Sequence, residues 1–487
     1  MTSASSSKST TTQRSPQAVS TDAQIELFQQ GTKFIKLLRP ASVGGGIIRL
    51  TSEQKKKAVE RFETTEGLDP IKFVPASGAA TRMFKRVFSW IENPKQHKKE
   101  IDDFFDRAEE FAFFERWWKA ADDADVETFQ SGLDSKVRWL ELLVSSEGLG
   151  FASKPKGLLE FHLYESPDTP VVEHLKEAIR YSRVGEVAKV HFTVSPEHRA
   201  DFEKEVGRQI KQDPFNEIKW EIKFSSQDPA TDTIAVDLKN SPIEEGGKLV
   251  TRPGGHGALI HNLNAIEEDL IFIKNIDNVA YDRLLDETVE HKKALAGILL
   301  ELRADLKQLY DALGKGLLDE THINELRDKW KIRIPKDYQK LKAYLERPFR
   351  VCGMVKNEGE PGGGPFYTLD KFTGESLQIV EQAQIDPKDS RQQSVLATST
   401  HFNPVDLVCY VRNFEDEPID LTKYVDDDLF FIAQKSWKGK DIKALEWPGL
   451  WNGAMAHWVT LFVEVPIETF NPVKEVSDLL RPAHLPS

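Results

Sequence analysis

The sequence predicts an α/β sheet protein with helical insertions and a strand-rich C-terminal part. Three observations lead there. Short apolar runs at 71–74 and 270–273 break into small or polar residues, as buried strands do. From Lys189 onward such runs alternate with helix-periodic segments. After Phe349 strand-like runs follow one another closely, at 351–355, 377–380, 407–411 and 461–465.

The elements can be justified in order. Residues 1–22 are rich in Ser and Thr and bury too little to offset their ordering entropy, so a disordered tail is expected. A short helix is expected over 23–38, a buried strand over 71–75 and a helix over 81–91. Residues 92–150 read as a helical insertion. Phe104, Phe105, Phe111, Phe113, Phe114, Trp117 and Trp118 are interleaved there with charges at amphipathic spacing. Strand 190–194, helix 201–211, strand 218–224 and strand 270–273 follow. A second helical insertion spans 283–347, broken near Gly314, Gly316 and Pro335. No internal repeat is present.

Composition removes several function classes. The chain has 487 residues, and 39% hydrophobic with 29% charged residues is globular composition. Its formal charge of -13 opposes broad attraction to nucleic acid or anionic lipid, so an anionic ligand needs a local basic cluster. Two cysteines, Cys352 and Cys409, are too few for a disulfide framework or a Cys-based zinc site, and they read as reduced core residues. No apolar stretch approaches the roughly 18–20 residues that span a bilayer. No signal peptide is visible, and a cytoplasmic location is the expectation. His191, His198, His256 and His401 lack the helical ligand spacing of a zinc hydrolase.

Basic and acidic residues in small-residue loops are the candidates for chemistry. Gly78-Ala79-Ala80-Thr81-Arg82 follows a strand and opens a helix. Such a turn lets backbone N–H groups approach a phosphate, and Arg82 can add a bidentate contact. The other reading is a tight strand–helix turn with a surface arginine. Gly254-Gly255-His256-Gly257 is a second Gly-rich loop before a helix. Asp277 lies just past the buried strand 270–273, where open α/β sheets bind ligands, and one such carboxylate can hold Mg²⁺ beside substrate phosphates. It reads equally as a turn or cap aspartate. A third loop, 360–366, leads to a strand ending at Glu381, either a hydroxyl acceptor or a solvated strand end.

Taken in order, these segments resemble the UDP-sugar pyrophosphorylases. The phosphate loop of that family is matched by 77–83 and its Pro-Lys-Gly by Pro155-Lys156-Gly157. A strand-region Gln is matched by Gln227, and a Pro-x-Gly-x-Gly loop by Pro253, Gly255 and Gly257. Asp277-Asn278 matches an Asp-Asn pair. Gly362-Gly363-Gly364 with Val380-Glu381 matches the sugar-side loop and Val-Glu, and His401-Phe402-Asn403 its His/Asn-Phe segment. Phe470-Asn471-Pro472-Val473-Lys474 matches a Phe-x-Pro-x-Lys segment. The wording of 73–85 and 252–278 is also similar to an uncharacterised bacterial family of unknown function, distantly related to those enzymes.

The resemblance implies one nucleotide-diphospho-sugar transferase-like domain over 23–487, a Rossmann-like mixed sheet flanked by helices. It implies that nucleoside triphosphate, UTP in the first place, and a sugar 1-phosphate react to give a nucleotide sugar and pyrophosphate. Arg82 and Lys156 would hold the triphosphate and Lys474 the sugar phosphate. Gly78, Thr81, Gln227, Gly255 and His256 would line the nucleotide, and Gly363, Glu381 and Asn403 the sugar. Asp277 would hold Mg²⁺, with Glu464 and Asp406 as candidates for a second ligand. Ala79 and Ala80 depart from the family's glycine-type loop, and His256 replaces an Asn of some relatives. Two alternatives stay open: a nucleotide- or sugar-phosphate-binding relative without turnover, and a nucleotide-sugar-dependent glycosyltransferase. The second wants Asp-x-Asp, which Asn275-Ile276-Asp277 does not supply.

Overall fold

Eight strands carry the architecture: β1 (Gly46–Ile48), β2 (Pro70–Pro75), β3 (Val187–Thr193), β4 (Lys219–Ser225), β5 (Leu270–Lys274), β6 (Phe349–Lys356), β7 (Asp406–Tyr410) and β8 (Val459–Glu464). The structure, a computed structural model, describes residues 18–76, 78, 80–359, 363–370 and 373–486. Residues 1–17 of the expected tail, Ser77 and Ala79 of the phosphate loop, and 360–362 of the third loop lie outside the described residues.

The described chain forms two compact units. The larger comprises Phe34–Ser226, Glu268–Ile419 and Ala456–Ser487. Its main sheet runs β1-β8-β6-β7-β5-β2-β3-β4. Only β7 is antiparallel to its neighbours; the other pairings in this order are parallel. This is a mixed α/β sheet, as expected. From β2 the chain steps outward through β3 and β4, then returns to β5 on the other side of β2. Strand order therefore reverses between β2 and β5, a position at which open α/β sheets leave a crevice at the carboxyl ends.

The inner strands are apolar on both faces, and β5 is buried at every position. Yet Lys72 of β2 and Lys274 of β5 are buried with them. They are tolerated because Glu177, on helix α1 (Pro170–Tyr181), accepts from Lys72 at 2.8 Å and from Lys274 at 2.6 Å. Tyr181 also donates to Glu177, at 2.7 Å. Farther along the chain, helix α2 (Leu285–Gly314) lies against the helix Ser52–Thr64. Cys352 and Cys409 are free and buried on β6 and β7, and burial pushes the Cys352 thiol up to about 11.

The first insertion is helical, as its aromatic spacing predicts. Trp117 packs edge-on against Trp139, with ring centroids 5.1 Å apart, and against Phe104 at 5.7 Å. The same buried cluster takes in Val279, Val473, Val476, Leu479 and Leu480, so the insertion packs on the segments flanking Asp277 and Lys474. The second insertion resolves into helices Leu285–Gly314, Glu320–Trp330 and Tyr338–Leu345. A separate hairpin, Gly363–Asp370 with Gly374–Glu381, takes Leu37–Pro40 as a third antiparallel strand.

The smaller unit comprises Gln227–Glu267, Asp420–Met455 and the N-terminal residues up to Lys33. Its four strands are ordered Thr251–Arg252, Thr233–Val236, Lys440–Glu446 and Phe431–Trp437, all antiparallel. The helix expected over 23–38 is Thr21–Gln30. Ser20 caps its start, Gly31 at φ 75° ends it, and residues from Leu37 extend instead. Its Phe28 packs on Ile234, Val236, Phe430 and Leu445.

Helix α2 and the helix Ser52–Thr64 meet so closely that a Cβ at Gly297 would lie 1.8 Å from the Ala58 carbonyl oxygen. Gly297→Ala is expected to destabilise the protein by about 1–3 kcal/mol, as overpacking does. Urea unfolding checks this; an unchanged midpoint would show that the two helices separate at little cost.

Candidate active site

The carboxyl ends of β2, β3 and β5 are stitched together beyond their ladders. The Ile276 amide donates to the Pro75 carbonyl at 3.2 Å, and the Ala76 amide to the Thr193 carbonyl at 2.9 Å. Asp277 follows at once and is buried. Lys156 Nζ donates to its Oδ2 at 3.0 Å and to the Val473 carbonyl at 2.8 Å. Lys474 Nζ lies 3.6 Å from the same oxygen. Three residues separated by more than a hundred positions each thus meet at the point where strand order reverses.

Local sequence explains how each arrives. A Cβ at Gly157 would lie 2.8 Å from the Phe202 ring and 3.0 Å from the Ile276 side chain, so glycine lets Pro155-Lys156-Gly157 pass without displacing them. The Val473 amide donates to the Asp277 carbonyl at 3.0 Å, and the Asn471 amide to the Asn278 side chain at 2.8 Å. Asp478 Oδ2 accepts from the amides of Lys474 (2.7 Å) and Glu475 (2.8 Å), which fixes the turn carrying Lys474. Burial pushes the Asp277 carboxyl up, but Lys474 and Lys156 outweigh it and hold it below the ordinary aspartate range.

Arg82 sits on a 3₁₀ turn, Ala80–Phe84, that leads into the helix Lys85–Glu92. The Ala80 amide donates to the Lys154 carbonyl at 2.8 Å, and the Thr81 hydroxyl to the Ala152 carbonyl at 2.8 Å. Thr81 thereby anchors its turn to the segment that precedes Lys156. On the following helix Arg86 pairs with Glu475 at 2.9 Å, beside Lys474. Arg82 itself is exposed and has no ion pair among the described residues. Gly78 adopts φ 119°, a left-handed conformation that favours glycine.

Gly363, Glu381 and Asn403 are also brought together. Gly363 stands opposite Glu381 in the hairpin register, and the Asn403 amide donates to the Gly363 carbonyl at 2.8 Å. Asn403 is buried, and its side chain accepts from the Val405 amide at 3.1 Å.

Gln227, Gly255 and His256 belong to the smaller unit. Gln227 donates to Thr231 Oγ1 at 3.1 Å. The glycines of 254–257 have a packing reason of their own. A Cβ at Gly254 would lie 2.4 Å from Trp447, one at Gly255 2.9 Å from Glu446, and one at Gly257 2.2 Å from the Pro448 carbonyl. His256 stacks on Trp451 at 4.2 Å and 12°, and its Nδ1 accepts from the Leu450 amide at 3.0 Å. Sequence reasoning missed Trp451, which lies 195 positions away from its ring partner.

The two candidates for a second metal ligand have partners of their own. Asp406 is ion-paired with buried Lys292 and Glu464 with Arg49, and the His401 ring lies 3.4 Å from Glu464. Among the described residues, the one group of three side chains within metal-binding reach is Glu287, Glu290 and His291 on α2. It is ion-paired with Lys55 and is partly exposed.

One cluster beside the site carried no sequence signal. His162 bonds Glu173 at 2.7 Å and His484 at 2.9 Å, although His162 and His484 are 322 positions apart. The Tyr281 amide donates to the Ala483 carbonyl at 2.9 Å, which ties this cluster to the loop after Asp277. Burial pushes Glu173 up to about 7 and both imidazoles down to about 3, so the histidines are neutral partners.

A mixed α/β sheet with charged side chains gathered at a strand-order reversal defines the class of protein. The chain belongs to the family described as Domain of unknown function (DUF4301), whose profile matches residues 4–485. No curated protein matches it. Among solved structures it is similar to the uridine diphosphate N-acetylglucosamine pyrophosphorylase from Trypanosoma brucei, at 12% identity and a TM-score of 0.49, over 91% of this chain and 72% of that one. It is also similar to the UDP-glucose pyrophosphorylase from Leishmania major, at 13% identity and a TM-score of 0.43, over 94% and 73%. Likenesses at such identities assign no residue a role.

Because its folded pKa is depressed, Asp277 contributes stability above the ordinary aspartate pKa of about 3.9, and that contribution is lost as pH falls through the folded value. Lys474 is 59% exposed, so solvent discounts its share. Asp277→Asn is expected to cost about 1–3 kcal/mol at neutral pH, with the deficit shrinking toward acid. Urea unfolding of both proteins across pH checks it; a deficit independent of pH would place the cost in packing.

Proposed function

We propose that the protein is a sugar-1-phosphate nucleotidyltransferase, joining a nucleoside triphosphate, UTP in the first place, to a sugar 1-phosphate. The observation that carries this reading is the convergence of Lys156 and Lys474 on Asp277 at the reversal of strand order. Support also comes from the turn of Arg82, bonded to the segment before Lys156, and from the ordered match of the sequence motifs.

In the free protein the carboxylate occupies both ammonium groups. The arriving substrates offer them a higher charge density, so Lys156 exchanges Asp277 for oxygens of the triphosphate and Lys474 for those of the sugar phosphate. That frees an ionised carboxylate inside a phosphate site, a donor set that fits Mg²⁺, which is commonly held by one or two carboxylates plus phosphates. When bound there, Mg²⁺ supplies charge neutralisation at the α-phosphate. Arg82 and Lys156 hold the triphosphate, with Gly78 and Thr81 shaping the turn. Lys474 orients the sugar phosphate, whose sugar meets Gly363, Glu381 and Asn403. The roles of Gln227, Gly255 and His256 toward the nucleotide rest on the sequence resemblance alone.

An oxygen of the sugar phosphate forms its bond to the α-phosphorus as the bond to the bridging oxygen of the β-phosphate breaks. Pyrophosphate leaves with that electron pair. The nucleophile is already an anion, so no general base is required, and catalysis rests on positioning and electrostatics.

Purified protein with Mg²⁺, each nucleoside triphosphate and a panel of sugar 1-phosphates is expected to release pyrophosphate with one sugar phosphate. Chelation of the metal or Asp277→Asn is expected to abolish the release. Lys474→Ala and Arg82→Ala are each expected to lower turnover by on the order of 10²–10³. Near-normal turnover in both would overturn the assignment. Nucleotide binding without release from any pair would identify a binding relative instead.

A further inference from the structure

A cavity of about 450 Å³ lies away from Asp277, within the larger unit. Its lining includes Arg39, Arg327, Lys331, Arg333, Asp328 and Glu375. Four cations against two carboxylates leave a local charge of +2, in a chain whose net charge is -13. We propose that this cavity is a second anion site, taking a small phosphate-bearing molecule.

The charges are only partly spent on one another. Arg39 makes a two-pronged contact with Glu375, at 2.7 and 3.0 Å, and Arg333 bonds the same carboxylate at 2.8 Å. One carboxylate cannot neutralise two guanidinium groups, and Glu375 is held ionised, its pKa lowered to about 2 by Arg39 and then Arg333. Arg327 has a structural task, donating to the Ile334 carbonyl at 2.8 Å beyond the end of its helix. Lys331 has none: among the described residues it makes no hydrogen bond or ion pair. Its backbone lies in the left-handed region, at φ 55°.

The floor is preorganised. Arg39 stacks over Tyr367, 3.7 Å from the ring centroid, which fixes the plane of its donors. A Cβ at Gly46 would lie 2.8 Å from the Tyr367 hydroxyl, and Gly46 sits at φ 109°, so only glycine leaves that ring in place. The volume suits a small molecule, and the cationic, polar lining selects phosphate over an apolar ligand. Tyr367 pairs with Leu377 four positions along the hairpin from the Gly363–Glu381 pair, so about 13 Å separates the cavity from the sugar-side residues.

Footprinting reads the site directly and is independent of the catalytic assignment. Full-length protein is acetylated under limiting reagent, with and without inorganic pyrophosphate or glucose 6-phosphate, at matched ionic strength. Modification of Lys331 is followed by mass spectrometry beside exposed Lys57. Pyrophosphate at ten times its Kd is expected to slow Lys331 about tenfold, since only free sites react, with Lys57 unchanged. Protection by pyrophosphate alone would define a bare anion site, and protection by both an organic phosphate site. Arg333→Ala, at a largely exposed side chain, is expected to remove the protection. Equal labelling of Lys331 up to about 10 mM of either compound, weaker than specific sites usually are, would overturn the proposal, as would protection that survives Arg333→Ala.

Discussion

The carboxylate of Glu177, buried between Lys72 and Lys274, is the interaction on which the rest of this structure depends. The two lysines stand on β2 and β5, adjacent parallel strands that arrive from opposite directions of the chain path, and Glu177 comes from the helix packed over them. Removing three charges from water costs several kcal/mol per ion, which only close pairing offsets. Burial acts against its charge, yet Lys274 and Lys72 hold the Glu177 carboxyl well below its ordinary range. Without Glu177 the two lysines would lose the carboxylate that both of them share. The arrangement is therefore specified as well as stabilised, and the strand ends that carry Asp277 follow from it.

The aromatic insertion extends the same logic to the other end of the chain. Its phenylalanine and tryptophan cluster takes in Val473, Val476, Leu479 and Leu480, and Arg107 donates to the Leu480 carbonyl at 2.9 Å. Lys474 is thereby presented from a segment packed on a hydrophobic core, although its own side chain is exposed. The His162–Glu173–His484 cluster in turn joins helix α1 to the turn Pro482–His484. The segment that carries Lys474 is held by two separate devices, one apolar and one hydrogen-bonded.

Much of this was legible in the sequence. The strands at 71–75, 190–194, 270–273 and 351–355 were visible because buried strands of a mixed sheet read as apolar runs. The helical character of both insertions followed from periodicity. The strands Phe431–Trp437 and Lys440–Glu446 were not, since their half-exposed faces give no sustained apolar run. Leu37 and Leu38 read as the end of a helix until the pairing of Leu37 with Thr368 is known. At the site, Lys156, Asp277 and Lys474 were picked out by motif and order, but their mutual contact was not, because side chains over a hundred positions apart leave no local trace of meeting. The ion pairs of Asp406 with Lys292 and of Glu464 with Arg49 were hidden for the same reason, since those partners are remote in sequence.

What the sequence determined by itself is the alphabet of the fold and the chemical identity of its candidate site: buried strands, amphipathic helices, small-residue turns, and lysines beside an aspartate. These are encoded by residue type and spacing within a few neighbours. What only the tertiary structure decided is which charges neutralise one another and which remain available. Glu177 is consumed by the core, Glu375 leaves two arginines short of a counter-charge, and Asp277 is shared by two lysines. Pairing of this kind is set by burial and distance between remote segments, and no local pattern encodes either.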